Sequence, residues 1–304
     1  MNPLPRTVRN AVGAVLNVLG LAVLACTMPG AQQPDTSATV QAVYLTITAQ
    51  ALTSPPPTAT IDSALPALDT SPTAVLPPSA TPPDARTGNG PSLIIPRCAA
   101  SMTIDAAETD WIAQSGVSRF ALDSVTYGAG EWLGTTDLSG YVRLCWNDSG
   151  LFMYVEVTDD VHVQNQQGET SWKGDEVELV FDSDLRGDFY NAVWNSDDIQ
   201  VGLSPGNFAD LPPASVRYHP TISRPAGIEL TARQLAGGRG YVLEAKISWG
   251  ELAITPQAGL NVGLCLALSD NDHTGTAQQD TMVSHCPRLR VSDPTTWVTA
   301  TFAQ

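Results

Sequence analysis

Residues 146–160 read WNDSGLFMYVEVTDD and contain the pattern of two strands joined by a turn. From Leu151 to Val157 an apolar side chain occupies every second position, which is the period of a strand with one buried face. The tetrapeptide at 147–150 combines Asn, Asp, Ser and Gly, which favour tight turns. This stretch predicts a β-hairpin at the centre of the fold.

Other segments of the C-terminal two thirds show the same strand-like alternation, and no long helical stripe separates them. They are residues 141–146, 176–181, 241–247, 262–268 and 297–302. Strands that follow one another without intervening helices pair antiparallel and pack sheet against sheet. The sequence therefore predicts an all-β fold, an antiparallel β-sandwich.

Composition divides the 304-residue chain into two parts. All seven Trp lie between Trp111 and Trp297, whereas residues 27–96 hold thirteen of the 23 prolines. A segment rich in Pro, Thr and Ala buries too little apolar surface to offset its ordering entropy. We expect a disordered stalk at 26–96 and a folded domain at 97–304.

The N-terminus has the features of an export signal. Arg6 and Arg9 precede an apolar run at 11–25, which is shorter than the roughly 20 residues that span a bilayer. Residues 23–26, VLAC, resemble the bacterial lipobox. This resemblance implies a signal peptide at 1–25, lipidation of Cys26 and membrane anchoring at the extracellular face of the cell envelope. An ordinary secretory signal, cleaved elsewhere, is the alternative.

The charge balance excludes one class of partner. The chain has 31 acidic and 15 basic side chains, a formal net charge of −16, and no cluster of Lys and Arg. Nucleic acid is bound by clustered basic side chains that neutralise phosphates. We expect no nucleic-acid partner.

Four cysteines remain in the domain after Cys26: Cys98, Cys145, Cys265 and Cys286. In an exported chain an even number predicts two disulfides, with four reduced thiols as the alternative. We favour Cys98–Cys286, because the first and last strands of a sandwich often lie side by side. Cys145 and Cys265 stand among apolar neighbours, so both could point inward and pair across the core.

The order of short motifs resembles carbohydrate-binding module family 9 and the wider DOMON-like β-sandwich group. These motifs cover nearly the whole domain: IDAAETDW (104–111), with Ala106 where Gly is usual; the hairpin at 146–160; WKGDEVELVFD (172–182); GYVLEAKISW (240–249); and GLCLALSDND (263–272). The resemblance implies a sandwich that binds sugar.

A sugar site needs flat aromatic surfaces and polar groups for the hydroxyls. The resemblance implies Trp172 as a stacking surface and Glu178 as a hydroxyl-binding carboxylate. Gln200 stands where the family usually has Arg. Residues 281–296 contain no second stacking Trp, and Trp297 fits the core better. The alternatives are a core position for Trp172 at the sandwich edge and a solvent-facing position for Glu178.

Acidic residues at the ends of strands indicate a calcium site. The resemblance to the family's calcium-binding loops implies as ligands Asp159, Asp160, Asp175, Asp270 and Asp272. Carboxylate oxygens are the ligands that Ca²⁺ prefers, and such an ion would stabilise the loops. The alternative is that these residues only form turns. Asp182, Asp184 and Asp188 are interpreted as a solvated turn.

Taken together, the sequence predicts a non-catalytic surface lipoprotein that binds glycan or polysaccharide. Glu176 and Glu178 are neighbours on one strand, unlike a glycosidase pair that flanks a bond in a cleft. The alternative is a calcium-stabilised structural or protein-interaction domain. A remote alternative is a haem-binding DOMON-like cytochrome, for which the axial ligands would come from Met153 and the histidines His162, His219 and His273.

Overall fold

A computed structural model describes Arg86, residues 88–98 and residues 102–304. The predicted signal peptide, Cys26 and most of the predicted stalk lie outside the described residues. Within these ranges, no helix has the length and apolar character needed to cross a bilayer.

Strands dominate the described ranges, with one short α-helix and two 3₁₀ helices. The strands are β1 (Leu93–Ile95), β2 (Phe120–Leu122), β3 (Ser124–Tyr127), β4 (Leu138–Asn147), β5 (Gly150–Asp159), β6 (Glu176–Asp182), β7 (Asp198–Ser204), β8 (Ala214–His219), β9 (Ile228–Gln234), β10 (Tyr241–Ile247), β11 (Asn261–Asp270), β12 (Thr281–Ser284) and β13 (Val298–Phe302). The helix α1 spans Thr109–Ile112, and the 3₁₀ helices span Gly168–Lys173 and Pro294–Thr296.

The strands form two sheets. The larger sheet has the order β1-β13-β11-β6-β7-β8, with β12 paired to β11 and β3 paired to β12; the smaller has the order β2-β4-β5-β10-β9. All pairs are antiparallel except β1 with β13. The predicted sandwich is confirmed, and the six segments with alternating patterns all lie in strands, except for Trp297, which directly precedes β13.

The core lies between the sheets and takes alternate residues from each strand. On β6, Val177, Leu179 and Phe181 are buried in it, so Glu176 and Glu178 lie on the other side of the sheet. Each fully buried apolar side chain stabilises the fold by about 1.5–3 kcal/mol. Because successive side chains of a strand lie on opposite faces of the sheet, burial of one set in the core places the other set on the outer surface.

The sandwich includes residues before the predicted boundary at 97. Strand β1 pairs with β13, and the Arg86 backbone N–H donates to Thr299 Oγ1 at 2.8 Å. Pro91 and Pro96 flank this short strand, so its composition resembles that of the stalk. The local sequence therefore does not indicate a strand, and β1 forms because it pairs in parallel with β13, the last strand.

The predicted disulfide pairing is wrong, because the bonds join Cys98 to Cys145 and Cys265 to Cys286. Cys145 packs in an apolar cluster with Trp111, and Cys265 packs in a separate one with Trp297. The main core lies between these clusters, so Cys145 and Cys265 cannot meet. The loops closed by the two bonds span 47 and 21 residues. In the loop-entropy model they contribute about 4 and 3 kcal/mol.

The motif at 104–111 packs against the smaller sheet through one buried carboxylate. Glu244 on β10 accepts hydrogen bonds from Trp111 Nε1 at 2.7 Å and from the Ala106 backbone N–H at 2.7 Å. Ala106 has a φ of 58°, in the left-handed region that favours glycine. This explains why the resembled family usually has Gly at that position.

Candidate functional site

The outer surface of the larger sheet carries a group of polar residues, which we call the outer face. Its members are Ser171, Trp172, Glu176, Glu178, Gln200, Gly202, Tyr218, Ala267 and Ser269. In the strand register Glu178 on β6 lies between Gly202 on β7 and Ala267 on β11. Both neighbours are small, and the space above Gly202 is filled by the Glu176 carboxylate and the Tyr218 ring.

Glu176 fixes the 3₁₀ helix Gly168–Lys173 to this face. Its carboxylate accepts hydrogen bonds from Tyr218 OH at 2.8 Å and from Ser171 Oγ. Burial raises the pKa of Glu176, and the charge of Glu178 raises it further. Gly202 leaves room for this contact, since a Cβ there would lie 2.1 Å from Glu176 Oε1. Glu176 is therefore a structural group that holds the segment carrying Trp172.

Trp172 lies on that helix and is 36% exposed. Its carbonyl accepts a hydrogen bond from Ser269 Oγ at 2.8 Å, and Lys173 Nζ lies 5.4 Å from the ring centroid. Ser269 is opposite Glu176 in the register. The structure thus places Trp172 over the outer face as an accessible aromatic surface.

Glu178 and Gln200 form a pair across β6 and β7 on the outer face. Gln200 Nε2 donates to Glu178 Oε2 at 2.9 Å, and Glu178 is only 3% exposed. The expected alternative, a solvent-facing strand carboxylate, does not describe this environment. Burial raises the pKa of Glu178. A carboxylate with acceptor capacity left and an amide beside it can pair with the hydroxyls of a sugar.

A separate acidic cluster lies where β5 and β11 end. Oxygens of Asp159, Asp270 and Asp272 approach within 4.8 Å of one another. Asp270 Oδ1 and Asp272 Oδ1 are buried and have no hydrogen-bond partner among the described residues, and Asp159 Oδ2 lies 3.4 Å from His162 Nδ1. The other oxygens of Asp159 and Asp270 accept from Val161 N and Thr281 Oγ1. Three carboxylates this close, two of them with an unpaired buried oxygen, fit a hard cation.

The cluster extends through Asp160, which the sequence indicated, and Asp137, which it did not. Oxygens of Asp137, Asp160 and Asp272 also lie within 4.8 Å of one another. Burial raises the pKa of Asp270 to about 9, and the charges of Asp175 and Asp272 add to the shift. Carboxylates this close repel one another unless protons or a cation compensate them.

Asp175 has a different environment from the one predicted. His162 Nδ1 lies 2.8 Å from its Oδ2, which also accepts from Val163 N, and Asn271 N donates to its Oδ1 at 2.9 Å. Burial opposes the charged ring of His162, but hydrogen bonds to Asp159 and Asp175 outweigh it and raise its pKa to about 10. The charged His162 ring thus compensates the Asp175 carboxylate. Asp175 in turn positions the cluster through its contacts with Val163 and Asn271.

Asp182 and Asp188 do not form a solvated turn. Asp182 is fully buried, its Oδ2 lies 3.1 Å from Arg86 Nη1, and oxygens of Asp182, Asp188 and Asp197 lie within 4.8 Å of one another. The turn interpretation is wrong for Asp182, because β6 continues through it and its side chain lies against Arg86. It is confirmed for Asp184, which is exposed in the turn that follows β6.

These motifs match a family defined by sequence. The model described as carbohydrate family 9 binding domain-like matches residues 117–303, more than half of the chain. The chain belongs to this family. No curated protein sequence matches the chain closely enough to serve as a relative.

Solved structures with similar folds include two of a carbohydrate-binding module family 9 from Caldicellulosiruptor kristjanssonii. The complex with cellotriose has a TM-score of 0.52 and 18% identity and covers 70% of this chain and 94% of its own. The complex with glucose has a TM-score of 0.51 and 18% identity and covers 69% and 96%. At this identity the likeness shows that the family 9 fold is shared.

Two further tryptophans of this family 9 domain, Trp297 and Trp194, have different environments. Trp297 is fully buried in the cluster with Cys265, as expected for a core residue. Trp194 is partly buried, its Nε1 donates to the Val291 carbonyl at 3.1 Å, and its ring centroid lies 4.3 Å from that of His219. Sequence reasoning missed Trp194, because it lies in a segment between β6 and β7 without a strand pattern.

The residues considered as haem ligands have other environments. Met153 is fully buried in the core between the sheets. His162 Nε2 contacts the Gly206 carbonyl at 2.8 Å, so both ring nitrogens have protein partners. His219 Nε2 contacts the Asn195 carbonyl at 2.7 Å. These contacts account for the positions of Met153, His162 and His219 without haem.

Proposed function

We propose that this family 9 domain binds glycan or polysaccharide on its outer face without catalysis. The observation that carries the proposal is the exposed Trp172 ring on a helix fixed beside the buried Glu178–Gln200 pair. A pyranose has apolar C–H faces that stack on an indole and hydroxyls that need acceptors and donors. Cellotriose and glucose, which the similar structures contain, are the sugars to test first.

The non-catalytic part of the proposal rests on the two glutamates. Glu176 and Glu178 lie two residues apart on β6, and Glu176 is fully buried by its contacts with Ser171 and Tyr218. A glycosidase needs two carboxyl groups on either side of the scissile bond. Here only Glu178 is left for the sugar.

Calcium is the cofactor that we propose for the acidic cluster. Asp270 and Asp272 supply unpaired buried oxygens, and Asp137, Asp159 and Asp160 add carboxylates beside them. The ion would neutralise charges that otherwise repel and would connect the ends of β5 and β11. Its role is structural, because it stabilises the loops at one edge of the sandwich.

Membrane anchoring through Cys26 completes the proposal. The VLAC sequence at 23–26 supports lipidation, and the Pro-rich segment after it supports an extended tether at the extracellular face of the envelope. Mass spectrometry of the membrane-extracted N-terminus should find a diacylated or triacylated Cys26. An unmodified N-terminus elsewhere would contradict the anchor.

A glycan array probed with the full chain, with and without Ca²⁺, tests the binding function. We expect the chain to bind β-glucan oligosaccharides and Trp172→Ala to lose that signal. Tyr141→Ala is the matched control, because Tyr141 is a 46% exposed aromatic on β4 of the other sheet. A blank array from folded protein would overturn glycan binding and favour a protein-interaction domain.

A further inference from the structure

A cavity of about 560 Å³ lies on the outer face over β8, apart from the residues proposed above for sugar binding. Its floor is apolar and comes from Ala214 and Val216 of β8 and from Ile222, which is 56% exposed. Residues 167–169, where the 3₁₀ helix that carries Trp172 begins, also line it. The volume lies within the range of small-ligand sites, about 300–1,000 Å³.

The strand register connects this cavity with the Glu178–Gln200 pair. Glu178 on β6 is opposite Gly202 on β7, and Gly202 is opposite Val216 on β8. The three residues therefore form one row across the outer face. Because neighbouring strands lie about 4.8 Å apart, the Val216 backbone lies about 10 Å from that of Glu178.

The ring of Tyr218 lies in this row, between Glu178 and the cavity. A Cβ at Gly202 would lie 2.7 Å from Tyr218 Cε2, so the ring covers the middle strand. The Tyr218 hydroxyl lies 2.8 Å from Glu176 Oε1 and 2.8 Å from Ser171 Oγ, and these contacts fix the ring. Aromatic rings are the surfaces that the C–H faces of a pyranose contact. The row thus presents a carboxylate, an aromatic ring and an apolar floor in sequence.

Polar side chains surround the floor of the cavity. Gln167, Glu169 and Arg224 line it, and their side chains form no hydrogen bond or ion pair with other described residues. Glu169 and Arg224 are the charged residues of the lining, which therefore has no net charge. Free donors and acceptors around an apolar floor suit a neutral ligand with many hydroxyl groups better than an ion.

We propose that this cavity over β8 is a second subsite for the same glycan chain, further along the chain from the sugar residue at Trp172 and Glu178. This inference rests on the proposed glycan-binding function. A β-glucan chain that follows the row crosses the Tyr218 ring and reaches Ile222 and Arg224. The domain therefore binds long chains more tightly than single sugars, because the additional residues contact apolar surface and free polar groups.

Calorimetric titration of the full chain with glucose and with cellohexaose tests the second subsite. Ile222→Ala and Arg224→Ala should bind glucose like wild type and cellohexaose about fivefold or more weakly. Both side chains are exposed, so their replacement leaves the core intact. Leu133→Ala is the matched control, because Leu133 is an 82% exposed aliphatic residue between β3 and β4, outside the cavity. It should bind both sugars like wild type.

Oxidative footprinting of the wild-type chain gives a second readout that needs no variant. Cellohexaose should protect both Trp172 and Ile222, glucose should protect Trp172 alone, and Leu133 should react equally in all samples. Protection of Trp172 without Ile222 by cellohexaose, or equal cellohexaose affinity of wild type and either variant, would overturn the second subsite while glycan binding stands. No binding of either sugar by folded wild type would overturn both.

Discussion

Gln200 Nε2 donates a hydrogen bond of 2.9 Å to Glu178 Oε2 across β6 and β7. An Arg at position 200, as the family usually has, would bring a compensating charge, but Gln is neutral. Burial raises the pKa values of Glu178 and of its neighbour Glu176, and the neutral Gln200 brings no charge that would oppose this shift. The outer face thus holds two buried carboxyl groups, Glu176 and Glu178, without a compensating charge from position 200, and this lowers the stability of the fold.

Glu178→Gln should stabilise the fold and weaken glycan binding. The change removes a buried charge beside Glu176, so we expect the free energy of unfolding at pH 8 to rise by about 1 kcal/mol. The neutral amide is a poorer acceptor for sugar hydroxyls, so cellotriose affinity should fall. Denaturant unfolding and calorimetry measure the two effects.

Gln200→Leu should destabilise the fold, since it leaves the buried Glu178 carboxylate without its hydrogen-bond partner. A Glu178→Gln variant that is less stable than wild type would contradict this account.

Removal of calcium should lower the melting temperature. A ligand present at 100 times its dissociation constant stabilises by about 2.7 kcal/mol. The relative stability of Asp270→Asn and wild type should depend on calcium. In chelator Asp270→Asn should be more stable than wild type, because it removes a carboxylate whose pKa burial raises to about 9. In calcium it should be less stable. Asp148→Asn, in an exposed turn, should respond to calcium like wild type.

Identical melting temperatures of the wild type in calcium and in chelator would contradict a metal site at Asp159, Asp270 and Asp272. A stabilising effect of calcium on the wild type and on Asp148→Asn, but not on Asp270→Asn, would support these ligands, because Asp148→Asn controls for the loss of one carboxylate elsewhere.

Acid should destabilise the domain through His285. Burial lowers the pKa of His285 to about 4, and the Leu266 N–H donates to its Nδ1 at 3.2 Å, which requires an unprotonated nitrogen. Because the folded pKa lies below the unfolded value of about 6.5, this stabilisation is present above pH 6.5 and is lost as pH falls toward 4. Between pH 7 and 4.5 the wild type should lose about 1–3 kcal/mol more than His285→Phe in denaturant unfolding. Equal losses would contradict it.

Alternation of apolar residues predicted the long strands, because β4, β5, β6, β10 and β11 each bury one face. The same pattern also excludes a bond between Cys145 and Cys265 across the core. Val142, Leu144 and Trp146 face the core, so Cys145 must face outward, as must Cys265 between Leu264 and Leu266. The error was to treat apolar neighbours in sequence as evidence of an inward side chain.

The motifs indicated Trp172, Glu178 and the three aspartates Asp159, Asp270 and Asp272, and the structure brings the oxygens of these aspartates within 4.8 Å of one another. They could not reveal Trp194 or Asp137, whose positions depend on loop conformation and on contacts distant in sequence. The roles of Trp172, Glu178 and the aspartates in binding remain predictions.

Calorimetric titration of the full chain with cellotriose tests glycan binding by the outer face most directly. We predict that wild type and Tyr141→Ala bind with the same affinity, because Tyr141 lies on the other sheet. Trp172→Ala should bind about tenfold or more weakly, since it loses a stacking surface. Equal binding by Trp172→Ala and wild type, or no binding by folded wild type in calcium, would contradict the account.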